Sequence, residues 1–327
     1  MTKKERVISA IQQEEPDCIP ACFTMHFPEE CANGENAVTA HMDFLKETDV
    51  DILKIMNENL VSCPWDLNTS ADFGRFPAFG AQAPLIERQI DLTKRILDRT
   101  GDSCFTLGTL HSVGTSAMYH PLKPMGYGYD QSRRVFGQWM KENPGKVLEA
   151  MKRITEGLCI LARRYIEAGV DGIYMASLGA ERRFGLTKEQ FMEWIAPFDQ
   201  MILQAVKEEK GYCFLHVCNR DVNLEFYRDY DPALYDVVNW GTFEVPCSLK
   251  EGKDIFAGKT VMGGLANRTG VLASGTEEAL VNTVRSLVET YGRKGFILGA
   301  DCTIATQKDF ITANKEVCRN MVYNSIG

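Results

Sequence analysis

Short apolar runs alternate along the chain with longer segments in which apolar residues recur at helical spacing. Eight such runs stand out, and they are IPACFTM, DILKIMN, SCFTLGT, VDGIYMAS, YCFLHVC, YDVVNWG, TVMGGL and GFILGAD. Because each run is apolar almost without interruption, it predicts a strand buried on both faces, as in a parallel sheet. Eight strands separated mostly by helices favour an α/β fold of the (β/α)8 TIM-barrel type over an open doubly wound sheet.

The helix signals begin at the N-terminus, where Thr2 and Glu5 form a capping-box pattern. This pattern predicts a helix that runs to about Gln13. Further helices are predicted over residues 37–48, 132–168 with a break at Pro144, 187–209, 222–230, 276–292 and 308–325. The segment from Glu58 to Ala83 carries Pro, Asp and Asn signals and is predicted to be a long loop. Since no repeat or linker interrupts the pattern, residues 1–327 are expected to form one barrel domain with an N-terminal helix.

Composition and charge narrow the possible partners. The net charge of −8 and the sequence pI of about 5.3 argue against binding to nucleic acid or an anionic membrane, which require clustered Lys and Arg. The N-terminal segment lacks the apolar core of a secretory signal, and no run approaches the length of a membrane span. We therefore expect a cytoplasmic protein whose 11 cysteines are mostly free thiols.

The segment FLHVCNRD places His216 and Cys218 at the end of the predicted fifth strand. Residues two apart on a strand point to the same face, and the active site of a (β/α)8 barrel lies at the carboxyl ends of the strands. Cys302 follows the predicted eighth strand, across the barrel mouth. Imidazole and thiolate are preferred zinc ligands, and three protein ligands leave one position open, as in catalytic zinc sites. The alternative is that both cysteines are buried packing residues.

Cys213 stands at odd spacing from Cys218 and is expected to face the helices. Other polar or large residues follow predicted strands and are candidates for the lining of the mouth. Among these, Glu181 and His26 are predicted to act in catalysis. The candidates for substrate contact are Met25, Asn57, Ser177, Trp240 and Asn267. For each of them, an ordinary role in a loop or in packing is the alternative.

The H-x-C pattern and the distant strand-terminal cysteine resemble the zinc methyltransferases of the uroporphyrinogen decarboxylase superfamily. The resemblance extends, in order along the chain, to ERVISAIQQEEPDCIP, DVDILKIMNEN, GLTKEQFMEWIAPFDQMIL and FILGADCTIATQKDFITANKEV. It implies a (β/α)8 barrel that uses Zn²⁺ and moves methyl groups between a corrinoid protein and thiols such as coenzyme M. The corrinoid, methyl-cobalamin or a relative, is expected on a partner protein, because the chain contains no D-x-H-x-x-G motif.

The chain departs from the decarboxylases themselves. They carry paired arginines after the first strand, where this chain has FTMHFPEE, and an aspartate where it has YMASLGAE. Glutamates at this position would repel a substrate with many carboxylates. A decarboxylase-type lyase and a non-catalytic barrel that binds a corrinoid protein remain the alternatives to a methyltransferase. The sequence leaves open the direction of transfer, the methyl donor, the thiol acceptor and the oligomeric state.

Overall fold

The computed structural model describes residues 1–304, which form a (β/α)8 barrel with an N-terminal helix. In this part of the chain the strands are β1 (Ala21–Cys22), β2 (Ile52–Ile55), β3 (Phe105–His111), β4 (Gly172–Ser177), β5 (Tyr212–Val217), β6 (Val237–Trp240), β7 (Thr260–Leu265) and β8 (Phe296–Ala300). They are parallel and pair in the order β1-β8-β7-β6-β5-β4-β3-β2. The predicted fold class is confirmed, and each strand lies within or beside the apolar run that predicted it.

The barrel closes between β1 and β2 through one residue. The backbone N–H of Asp51 donates to the carbonyl of Ala21 (3.1 Å), and the N–H of Ala21 donates to Oδ2 of Asp51 (2.9 Å). The Asp51 carboxylate is fully buried and also pairs with Arg6. Closure at this seam therefore depends on a buried ion pair with the N-terminal helix, and not on a ladder of several backbone bonds.

The helices surround the sheet and lie mostly between consecutive strands. In the described chain they are α1 (Lys3–Ile11), α2 (Gly34–Thr48), α3 (Ser70–Gly74), α4 (Pro84–Thr100), α5 (Val113–Ser116), α6 (Tyr129–Glu142), α7 (Pro144–Ala168), α8 (Lys188–Trp194), α9 (Ala196–Glu208), α10 (Leu249–Ile255), α11 (Gly270–Ser274) and α12 (Glu277–Tyr291). None of the helices described here has the length and apolar character needed to cross a membrane.

The N-terminal helix α1 covers the end of the barrel opposite the mouth. Its capping box between Thr2 and Glu5 is present as predicted. Val7 and Ala10 pack against side chains that point into the barrel, such as Ile52 of β2. The amphipathic helix thus buries its apolar face on the N-terminal ends of the strands, which leaves the C-terminal ends free to build a site.

Several helices differ from the prediction. The break at Pro144 is present, but α4 and α10 lie in segments to which the apolar pattern assigned no helix, and α3 lies within the predicted long loop. The helix predicted over 187–209 is divided at Ile195, just before Pro197, because proline cannot donate the hydrogen bond that a continuous helix needs. The helix predicted over 308–325 lies outside the described residues.

Candidate metal centre

The structure brings His216, Cys218 and Cys302 together at the C-terminal mouth of the barrel. Their donor atoms all lie within 4.8 Å of one another. His216 belongs to β5, and the N–H of Cys218 donates to the carbonyl of Ser177 (3.0 Å), so the strand pairing continues one residue past β5. Strand alternation then points His216 and Cys218 to the same side, and Cys302 approaches from the loop after β8.

His216 provides the test of whether this site suits a metal ion. The residue is 2% exposed, and both of its ring nitrogens are buried without a hydrogen-bond partner among the described residues. The Tyr174 ring stacks on the imidazole, with 5.2 Å between centroids and an interplanar angle of 28°. Buried polar atoms are costly to leave unpaired, and a metal ion bound to one nitrogen would satisfy it. The donor set therefore fits zinc, for which two thiolates and one imidazole are preferred ligands.

The pKa values of the two thiols are shifted in opposite directions. A hydrogen bond from Cys218 lowers the pKa of Cys302 well below its usual value. The same contact, together with burial, raises the pKa of Cys218. The thiol of Cys218 thus stabilises a thiolate on Cys302.

Polar side chains hold the loop that carries Cys302. Asp301 accepts hydrogen bonds from the hydroxyl of Thr242 (3.0 Å) and the N–H of Phe243 (2.9 Å), which fixes this loop to the end of β6. Burial raises the pKa of Asp301 to about 6. Asn267 donates to the carbonyl of Thr303 (2.9 Å), which fixes the loop to the end of β7. Asn267 is therefore placed to position Cys302.

A polar layer lies inside the barrel at the level of the candidate ligands, with members from alternate strands. The Nζ atom of Lys54 (β2) lies 4.5 Å from the centroid of the Tyr174 ring (β4). The Tyr174 hydroxyl donates to Oδ1 of Asn239 on β6 (3.1 Å). Asn239 in turn donates to the carbonyls of Met262 (2.8 Å) and Ala300 (3.2 Å). This layer replaces the branched apolar side chains that usually fill such barrels and links β4, β6, β7 and β8.

Glu181 lies beside the metal centre but is already paired. It is 1% exposed, forms an ion pair with Arg133 of α6, and accepts from the N–H of Gly179 (2.9 Å) and from Asn219 (3.3 Å). Asn219 follows Cys218 directly and has a positive φ of 85°. Glu181 is therefore placed to hold the loop after β5, and its predicted role in catalysis stays a prediction.

His26 lies on the rim of the mouth with its side chain half exposed. Its Nδ1 is 2.8 Å from Oε1 of Glu58. Burial alone would raise the pKa of Glu58, but the hydrogen bond and charge of His26 lower it. His111, at the end of β3, has its pKa lowered to about 4, first by burial and then by the charge of Lys54. The rim thus combines a His26–Glu58 pair with a neutral imidazole.

Ser177 and Trp240 do not line the mouth, contrary to expectation. The Ser177 hydroxyl is hydrogen-bonded to Asp199 of α9, outside the barrel, where burial raises the pKa of Asp199 to about 7. The Trp240 indole is fully buried and donates to the carbonyl of Cys247 (3.0 Å). Both residues occupy outward positions of their strands, whereas the inward neighbour of Trp240 on β6 is Asn239.

Met25 and Asn57 follow β1 and β2 at the mouth end of the barrel, but both side chains are buried. Met25 belongs to the main apolar cluster, and its backbone bridges to Ile304, two residues past Cys302. Asn57 is 4% exposed and donates to the carbonyl of Thr109 (3.2 Å). Contact of either residue with substrate therefore stays a prediction.

The apolar pattern gave little signal for the residues that complete the site. Lys54 and Asn239 are single polar residues within predicted strands, and this interruption of an apolar run was the available signal. Arg133 lies on a helix that is distant in sequence from the ligands, so only the folded chain places it beside Glu181.

Comparison with known proteins places the chain in a family. No curated protein matches the chain, but the chain matches the family described as Uroporphyrinogen decarboxylase (URO-D) over residues 124–315, more than half of its length. A solved structure described as a methyltransferase from Methanosarcina mazei is 17% identical, with a TM-score of 0.72 and coverage of 99% of this chain and 98% of that one.

A B12-independent methionine synthase from Shewanella sp. W3-18-1, solved in complex with selenomethionine, is 12% identical with a TM-score of 0.58. The match covers 93% of this chain and 96% of that one. At these identities the two structures show a common fold and no more. The sequence match over residues 124–315 goes further, and it establishes that the chain belongs to the uroporphyrinogen decarboxylase family.

Proposed function

We propose that this protein is a zinc-dependent methyltransferase, which moves a methyl group between a corrinoid protein and a thiol or a methylated small molecule. The observation that carries the proposal is the convergence of His216, Cys218 and Cys302 at the barrel mouth, where neither imidazole nitrogen has a hydrogen-bond partner within residues 1–304. The two similar structures are described as a methyltransferase and a B12-independent methionine synthase, which supports methyl transfer but not the use of a corrinoid.

The three side chains would hold the metal from the ends of β5 and β8. Zinc bound by two thiolates and an imidazole would keep a position for a fourth ligand and lower the pKa of a thiol bound there. Asp301 and Asn267 keep the Cys302 loop in place through the contacts described above, and Tyr174 orients the imidazole. The site is thus preorganised by the ends of β4, β6 and β7.

His26 gives the mouth a group that can take up a proton. Its imidazole is half exposed, and its Nδ1 lies 2.8 Å from the Glu58 carboxylate. We propose that His26 passes to solvent the proton that a substrate thiol releases at the mouth, or delivers one to a leaving group when transfer runs the other way. The corrinoid would be presented at the same mouth by its partner protein.

Calorimetry on the zinc-loaded chain tests the proposal. Coenzyme M and homocysteine should bind with release of about one proton per site near pH 7, because the free thiol pKa is about 8.5. The measured heat should then vary between buffers of different ionisation enthalpy. Zinc-free protein should show neither effect. If no thiol binds but a methoxylated or N-methylated compound does, the enzyme works on the donor side.

Two results would contradict the proposal as a whole. One is purified protein without stoichiometric zinc that also fails to take up the metal. The other is conversion of uroporphyrinogen to coproporphyrinogen, which the neighbourhood of His26, Glu29 and Glu30 should prevent by repelling the substrate carboxylates.

A further inference from the structure

Lys54 is a buried cation that has no acidic partner in the described structure. Its side chain points into the barrel from β2 and is only 6% exposed. No carboxylate of residues 1–304 lies within 4.0 Å of its ammonium group, whose defined neighbour is the face of Tyr174. A buried charge without a partner is costly, so its presence requires an explanation.

The groups that act on Lys54 come from several strands. Burial lowers the pKa of Lys54, and the neighbouring groups Cys302, Cys22, Cys218 and Glu58, in this order, oppose that shift only in part. Arg133, the other buried cation near the metal centre, is neutralised by Glu181. Among the described residues, Lys54 is therefore the buried cation near the candidate centre that forms no ion pair, and the Glu58 carboxylate acts on it only from beyond 4.0 Å.

The formal charges of the proposed centre and Lys54 sum to one positive charge, which one more anion would balance. A zinc ion with two thiolates and a neutral imidazole is formally neutral, so the ammonium of Lys54 leaves the interior with one positive charge. An anionic fourth ligand would bring the sum to zero, whereas a neutral ligand would leave the Lys54 charge unbalanced. In an interior of low dielectric this difference is larger than in water.

We propose that Lys54 is a specificity-determining residue that makes the metal centre prefer an anionic fourth ligand, so that a substrate thiol is bound as its thiolate in preference to a neutral oxygen or nitrogen compound. The inference rests on the proposed function for the identity of the substrate. Lys54 acts through its field and does not need to touch the substrate, so it is a positioning residue and not a catalytic one.

The charge effect can be measured on the metal-free chain, without reference to methyl transfer. Iodoacetate carries a negative charge and iodoacetamide is neutral, so the ratio of their alkylation rates at Cys218 and Cys302 reports the local potential. Mass spectrometry of the modified peptides gives this ratio for each cysteine. Lys54→Met should lower the ratio by about tenfold, as expected for loss of one nearby buried charge.

Matched variants separate charge from packing. Lys54→Arg should restore the ratio because it keeps the charge. Lys123→Met removes the same charge from an exposed position and should leave the ratio nearly unchanged, because solvent screens it. An unchanged ratio in Lys54→Met, with thermal unfolding like that of the wild type, would overturn the inference.

Thiol affinity of the zinc-loaded protein then distinguishes the two proposals. If Lys54→Met retains zinc and binds coenzyme M about tenfold more weakly, while Lys54→Arg binds normally, the inference stands. If thiols bind equally well to wild type and Lys54→Met, the role of Lys54 fails and the proposed function survives. If no thiol binds either protein but the alkylation ratio still falls, Lys54 sets the potential and the thiol acceptor is wrong.

Discussion

Cys302 and Cys213 differ in what their thiols face, although both are cysteines of the barrel strands or their ends. Cys302 lies within 4.8 Å of the donor atoms of His216 and Cys218. Cys213 is fully buried, and its Sγ lies 3.7 Å from the carbonyl of Leu203 in the layer between sheet and helices. The two residues therefore provide a proposed ligand and a matched control.

Cys302→Ser should lose most bound zinc, because a neutral hydroxyl is a poor substitute for a thiolate ligand. Cys213→Ser should retain zinc, although loss of a buried apolar contact should reduce its stability by about 1 kcal/mol. Elemental analysis of the two purified variants measures the difference. Full zinc content in Cys302→Ser, or loss of zinc in Cys213→Ser, would show that the ligand set is incorrect.

Strand phase explains which site residues could be found from sequence. His216 and Cys218 stand two apart, so their convergence follows from the period of a strand. Ser177 and Trp240 also stand at strand ends, but they occupy the alternate positions whose side chains point outward to the helices. Phase could not be assigned in these runs, because strands buried on both faces are apolar at every position.

At the scale of the element, glycines mark where a helix lies closest to the sheet. A Cβ added to Gly252 of α10 would come within 2.0 Å of the Trp240 ring. A Cβ added to Gly137 of α6 would meet no atom within 4 Å. The first glycine is needed for packing on β6, and the second only weakens its helix.

Gly252→Ala should destabilise the protein by about 1–3 kcal/mol, the usual cost of overpacking a filled core. Gly137→Ala should instead stabilise it by about 0.5–1 kcal/mol, because alanine loses less backbone entropy in a helix. Urea unfolding of both variants gives the two changes in the free energy of unfolding. Equal values would mean that Trp240 moves aside without cost.

The helices were harder to predict than the strands. The segment of α4, PLIERQIDLTKRILDRT, does carry apolar residues at helical spacing, with Ile86, Ile90 and Ile96 buried, so the local pattern could have predicted this helix. The seven-residue helix α10 (Leu249–Ile255) contains a glycine and is too short to show such a period. It forms because the barrel offers it an apolar surface.

At the scale of the whole molecule, the number and spacing of the apolar runs were sufficient to predict the barrel. Few folds other than a (β/α)8 barrel accommodate eight short buried strands with helices between them. The contacts that close the barrel were not predictable, because Arg6, Ala21 and Asp51 are distant in sequence and carry no pattern in common.

We expect the barrel to open locally at the seam between β1 and β2 more readily than elsewhere. Arg6→Gln should leave the buried Asp51 carboxylate without its cation, so amide hydrogens of residues 18–25 and 50–56 should exchange faster. Peptides from β4 and β5 should exchange as in the wild type, and mass spectrometry reads both regions in one experiment. Uniform acceleration across the barrel would instead indicate global unfolding.

Local opening at this seam would affect the three proposed metal ligands and Lys54 differently. His216, Cys218 and Cys302 remain joined through the unbroken run from β5 to β8, whichever way the seam parts. Lys54 lies on β2, at the free edge that the parting would create. A fluctuation at the seam would thus leave the three proposed metal ligands in place while moving the Lys54 ammonium away from them. Release of an anionic fourth ligand would then be coupled to opening of the barrel between β1 and β2.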